Sequence, residues 1–90
     1  MDIYELRNQI DSIDDKLVQL FVDRMAVSGK IGAYKQTMGL PVMDATREEA
    51  KLQDIAAKAG PEMADYACML YKKVFELSRL YQDKTANEVL

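Results

Sequence analysis

Histidine and tryptophan are absent from this 90-residue chain, cysteine occurs once, proline twice and glycine four times. Without histidine there is no imidazole to bind zinc and no base for a Ser-His-Asp or Cys-His nucleophile, and one thiol cannot close an internal disulfide. An excess of one charge is also missing. Fifteen acidic residues face twelve basic ones for a net charge of -3, so no polybasic footprint for nucleic acid or a membrane surface is present. Apolar runs are only a few residues long, and Met1-Asp2-Ile3-Tyr4-Glu5 lacks a basic segment followed by a hydrophobic one. Neither a membrane span nor a signal peptide is expected, and the expected location is the cytoplasm. What remains, 49% hydrophobic and 30% charged, is the composition of one soluble domain over residues 1–90. Its chemistry must come from Arg, Lys, Asp, Glu, Ser, Gln and Tyr.

The spacing predicts an all-α chain of three helices. Ile3, Leu6, Ile10, Ile13, Leu17, Leu20, Val27, Ile31 and Tyr34 recur at intervals of three and four, with Arg24 as the one charge in the series. No proline interrupts Asp2 to Met38, so a single long helix of about 33 residues is expected, with Gly29 and Gly32 each weakening it by roughly 1 kcal/mol relative to alanine. Gly39 and Pro41 end it. Asp44 stands where an N-cap belongs, before a short helix over 45–59 with a stripe of Leu52, Ile55, Ala56 and Ala59. A third helix is expected from near Pro61, with a stripe of Met63, Ala67, Leu70, Val74, Leu77 and Tyr81 and a fraying tail from Asp83 to Leu90. Met25, Met38, Met43, Met63 and Met69 read as gap-filling core residues and Cys68 as a small buried hydrophobe.

Helix length bears on assembly. About 33 residues at 1.5 Å each span roughly 50 Å, whereas a compact globule of this size has a radius of gyration of roughly 12 Å. One chain cannot cover such a seam, so an intertwined helical-bundle homodimer is expected; a kink at Gly29 or Gly32 would instead fold the helix back on itself.

Polar residues on the apolar faces carry the functional signal. Arg24 occupies a seam position, and Lys35, three turns later and about 20° around the helix, faces the same way roughly 16 Å off, so the two could bracket a small anion. Asp44 and Glu48 put carboxyl groups on or beside the inward face of the second helix, and Ser78 and Gln82 stand one turn apart on the third. Each has a plainer explanation. Arg24 could pair with a carboxylate of a facing helix, Asp44 is a cap, Glu48 is a first-turn acid favoured by the helix dipole, and Lys35, Ser78 and Gln82 could be solvated.

Taken jointly, Leu6-Arg7, Ile10, Ile13-Asp14, Lys16-Leu17, Arg24, Lys35, the loop Pro41-Val42-Met43-Asp44 running into Arg47-Glu48, and Ser78 with Gln82 form an ordered set over nearly the whole chain. That set resembles the all-helical chorismate mutase family, the AroQ class. The resemblance implies a homodimer that rearranges chorismate to prephenate, in phenylalanine and tyrosine biosynthesis, without metal or cofactor. It implies binding through Arg7, Arg24, Lys35, Asp44, Glu48, Ser78 and Gln82, with Lys35, Gln82 and Arg24 closest to the chemistry. Many relatives carry a basic residue where this chain has Met43, so attraction of the dianion from that position is lacking. Arg7 and Arg24 are 17 residues apart, hence about 25 Å along one helix and roughly 100° apart. They cannot grip one small ligand, and Arg7 is expected to come from the opposite chain. Isochorismate pyruvate lyase on the same scaffold and a non-catalytic helical dimerisation module are the alternatives.

Overall fold

The computed structural model describes residues 1–89, with Val89 described by its backbone alone. Three helices follow one another: α1 over Ile3–Met38, α2 over Ala45–Ala59 and α3 over Ala64–Val89, with no strand among the described residues. The Asp2 side chain caps α1 by accepting from the Glu5 N–H at 2.9 Å. At the other end Gly39 turns left-handed at φ 67°, and the Leu40 N–H donates to the Lys35 carbonyl at 2.8 Å, satisfying a terminal acceptor. Asp44 caps α2 as expected, accepting from the Arg47 N–H at 3.0 Å.

α1 has 36 residues rather than about 33, and it is continuous. At 1.5 Å per residue that length is about 54 Å, which equals the long dimension of the molecule, 54 × 27 × 14 Å. A kink at Gly29 or Gly32 is therefore not how this chain shortens itself. Those glycines serve packing. A Cβ on Gly32 would meet Thr85 Oγ1 and stand 2.6 Å from the Gln82 carbonyl oxygen, and one on Gly29 would stand 2.8 Å from the Tyr81 ring, so both let α3 lie directly against α1.

The third helix departs from expectation at both ends. Residues 61–63 form a turn in which the Met63 N–H reaches the Gly60 carbonyl at 3.2 Å, so Pro61 precedes α3 instead of sitting in its first turn. The tail does not fray at Asp83. α3 continues to Val89 because Thr85 and Ala86 have contacts to make: Thr85 abuts both glycines of α1, and Ala86 is buried. Leu90, the last residue of the expected tail, lies outside the described residues.

α3 packs against both α1 and α2, which make no backbone approach to one another. Its most buried face is Phe75, Ser78, Gln82 and Ala86, one position round from the stripe of Val74, Leu77 and Tyr81, which is half-buried; Met63 and Leu70 of that stripe are exposed. The buried hydrophobic core is small, comprising Ile55, Phe75 and Ala86. Every apolar residue of the α1 seam, Ile3 through Tyr34, is between 42 and 64% exposed, whereas Arg24 is half-buried. Met38, Met43, Met63 and Met69 are exposed too, so they fill no gap in this chain's own core: they lie where none of its helices covers them. Cys68 is half-buried with its thiol 3.6 Å from the Leu52 carbonyl oxygen. With a radius of gyration of 16.2 Å the chain is well above the roughly 12 Å of a compact domain of its length. No described helix is long and apolar enough to cross a membrane.

Candidate active site

The C-terminal half of α1, the loop around Val42, the start of α2 and the middle of α3 enclose a cleft of about 570 Å³. Arg24 and Lys35 reach it from α1, Asp44 and Glu48 from the start of α2, and Ser78 and Gln82 from α3. Six of the seven expected binding residues thus share one cavity although they are spread over nearly sixty positions of sequence. The seventh, Arg7, is exposed on the far part of α1 and does not line it.

The cleft is cationic in an acidic chain. Arg24, Lys35, Arg47, Lys51 and Arg79 line it against two carboxylates, Asp44 and Glu48, a local excess of three positive charges where the whole molecule carries -3. Arg24 is half-buried with its guanidinium carbon 5.8 Å from the centre of the Phe75 ring, a cation–π contact that holds the head group in place while leaving its five donors for other partners. Lys35 donates to the Val42 carbonyl at 2.8 Å, which ties the loop to α1 and fixes the ammonium at the cleft edge. Among the described residues neither cation has a carboxylate within 4 Å, nor does Arg47.

Glu48 is not free. Arg79 Nη1 lies 2.6 Å from each of its carboxylate oxygens, joining α2 to α3 across a half-buried wall of the cleft. A carboxylate offers about four acceptor sites, so this pairing orients Glu48 without exhausting it. Asp44 is exposed and engaged as the cap of α2. Lys51 shares Asp54 with Lys58, at 3.3 and 2.9 Å. The Asp54 carboxyl is held below its ordinary value chiefly by the Lys58 hydrogen bond, with Lys51 adding to it.

Ser28, Ser78 and Gln82 are all buried where α1 meets α3. The Gln82 amide nitrogen donates to Ser28 Oγ at 3.1 Å, and the two serine hydroxyls share a short hydrogen bond.

Ser28, Arg47, Lys51 and Arg79 are not among the binding residues expected from sequence, although Arg47 belongs to the ordered set that carries the resemblance. Ser28 had a signal: 24, 28, 32 and 35 form one helical face, so it stands one turn after Arg24 on the line to Lys35. Arg79 follows Ser78 and shares a face with Phe75 and Gln82, at intervals of four and three. Arg47 and Lys51 lie one residue before and three after Glu48, in the first two turns of α2, and a lone cation there carries no mark of a ligand in the sequence.

Residues 6–83 match the family model of chorismate mutase type II. The T-protein of Haemophilus influenzae is 37% identical over 84 residues, a match covering 93% of this chain and 21% of that protein. The chorismate mutase of Methanocaldococcus jannaschii is 33% identical over 45 residues, half of this chain and 46% of its own length. This chain therefore spans less than half of each of these relatives, and no solved structure matches it. A family match over most of the chain, together with a three-helix fold that gathers six of the seven expected residues around one cationic cleft, places this chain in the chorismate mutase type II family.

Proposed function

We propose that the chain converts chorismate to prephenate, working as a homodimer in which each cleft receives Arg7 from the opposite protomer. The observation that carries this reading is the excess of cations around the cleft of an acidic chain, with Arg24, Lys35 and Arg47 unpaired by any carboxylate among the described residues. Such a surface suits a small dianion. The rearrangement is pericyclic: a C–O bond breaks as a C–C bond forms within one molecule, and no nucleophile, proton transfer, metal or cofactor is required. The protein's task is to hold a compact conformer and to meet the charge that develops.

Arg24 and the partner-supplied Arg7 take the two carboxylates by bidentate contacts, with Ser78 assisting. Glu48, oriented by Arg79, and the Asp44 region accept from the ring hydroxyl. Lys35 and Gln82 donate to the ether oxygen, where negative charge grows as its bond to carbon breaks, and interactions that strengthen there are the ones that raise the rate. The dimer accounts for the exposed seam of α1 and for a chain only 14 Å thick in its smallest dimension. The product then serves phenylalanine and tyrosine biosynthesis in the cytoplasm.

Loss of chorismate absorbance with product identification tests the reaction, and prephenate is the expected product. Failure to consume chorismate, with release of pyruvate and salicylate from isochorismate instead, refutes the mutase reading. Sedimentation as a fully helical 10 kDa species would refute the dimer.

A further inference from the structure

Ser28 is the least exposed polar residue of the α1–α3 contact, at 3%, and Gln82 beside it is 8% exposed. The Gln82 Nε2 reaches Ser28 Oγ at 3.1 Å and Ser78 Oγ at 3.5 Å, while its Oε1 is buried with no hydrogen-bond partner among the described residues. Two serine hydroxyls bring two hydrogens to this cluster. One is used between the serines; the other has the Ser78 carbonyl at 3.4 Å as a poor acceptor, or it can be given to Gln82. An orphaned buried acceptor costs free energy. A half-turn of the terminal amide exchanges oxygen and nitrogen at nearly the same positions, and the hydrogen-bond network decides between the two. In the turned state Ser28 donates to Oε1 and no acceptor is orphaned, while the NH2 takes the buried position that has no partner among the described residues, so its acceptor must come from a bound ligand.

We infer that Ser28 is a positioning residue: its hydroxyl, backed by Ser78, holds the Gln82 amide with the oxygen toward α1 and the NH2 toward the cleft, ready to donate to a bound ligand. The inference rests on the mutase reading given above and deepens it. Two features of the backbone make the arrangement specific. Ser28 lies one turn from Arg24 on the cleft side of α1, and Gly32, one turn further, lets α1 press against the backbone of Gln82 itself. The root of the glutamine is thus fixed by a glycine and its tip by a serine. Without the serine, a three-torsion side chain could present either end of its amide, and the oxygen would repel the charge that grows on the ether oxygen.

The test is a double-mutant cycle on the full chain, measuring kcat and KM for chorismate in the parent, Ser28→Ala, Gln82→Ala and the double variant. Ser28→Ala should lower kcat about tenfold, less than the roughly hundredfold or more expected from loss of a charge-stabilising donor itself, and should leave KM nearly unchanged. In the Gln82→Ala background the same substitution should do nothing. An unchanged kcat, or an equal loss in both backgrounds, overturns the inference. Independently of turnover, the order parameter of the Gln82 side-chain amide should fall in Ser28→Ala, and an unaltered value also overturns it. A parent that does not consume chorismate refutes the mutase reading instead, and the amide measurement then still decides whether Ser28 holds Gln82. Should Ser28→Ala not fold, Ser28→Cys keeps the volume with a weaker donor and goes through the same cycle.

Discussion

Replacing Gly32 by alanine sets two effects of opposite sign against each other. In a solvated helix the change would stabilise by about 1 kcal/mol, since alanine is the better helix former. Here the new Cβ would stand 2.6 Å from the Gln82 carbonyl oxygen and 2.7 Å from its Cα, and closer still to Thr85 Oγ1. The threonine can rotate, but the backbone of α3 cannot. To restore an ordinary contact of 3.4 Å the helices must part by about 0.8 Å along much of their shared line. Overpacking of this kind costs about 1–3 kcal/mol, and a clash with backbone belongs at the upper end, so the net expectation is a loss of about 2 kcal/mol. Gly29→Ala is the control. Its nearest neighbour is the edge of the half-buried Tyr81 ring at 2.8 Å, a side chain able to swing away, so its net change should stay within about 1 kcal/mol. Urea unfolding followed by circular dichroism, at one fixed chain concentration so that association contributes equally, measures both. If Gly32→Ala is as stable as the parent, α1 and α3 are not held at this separation and the argument fails.

Lys35→Ala should lower kcat/KM by at least about 3 kcal/mol in transition-state terms, while unfolding free energy falls only by about 1 kcal/mol for the lost bond to the Val42 carbonyl; near-normal turnover in a folded variant removes Lys35 from the mechanism. Mixing inactive Arg7→Ala with inactive Arg24→Ala chains should restore one working cleft per heterodimer, and no recovery after subunit exchange would show that Arg7 is not shared across protomers. Gln82→Glu should retain activity mainly in acid, because the carboxyl donates only while protonated and, once ionised, repels the developing charge. Its kcat/KM should therefore drop as pH rises through the folded-state pKa of that group while the parent profile stays comparatively flat, and parallel profiles would mean that Gln82 does not touch the ether oxygen.

Caps and breakers were legible because their physics is local: Asp44 before α2 and Gly39 after α1 behave as their side chains, or lack of one, dictate. Six of the seven residues expected from sequence line one cleft, since charged and polar residues at helical spacing among apolar ones share a face. The same rule misled where the interface is not apolar. α1 meets α3 through Ser28, Gly29 and Gly32, while its apolar seam is exposed, with Val27 and Ile31 at the cleft, so reading apolar as inward hid the contact that buries Gln82. The tail after Asp83 looked dispensable for a related reason. Thr85 and Ala86 are not strongly apolar, yet Thr85 abuts two glycines more than fifty residues away and Ala86 is buried. Arg79 was passed over since an arginine beside a serine on a helix carries no mark of its partner, and Glu48 comes to it from α2 only once the chain has folded.

At 14 Å in its smallest dimension against 54 Å in its longest, the chain is a shallow body. Such a chain has little inside of its own, and among the described residues half of the six buried side chains, Ser28, Ser78 and Gln82, are polar groups at the cleft. In a thick domain, a change at the site is absorbed by an apolar interior that has no part in the chemistry. Here the interior and the site are largely the same atoms. Substitutions that retune ligand recognition will therefore draw directly on folding stability, and a search for altered specificity in this chain should begin from variants first stabilised elsewhere, on the exposed faces of α2 and α3.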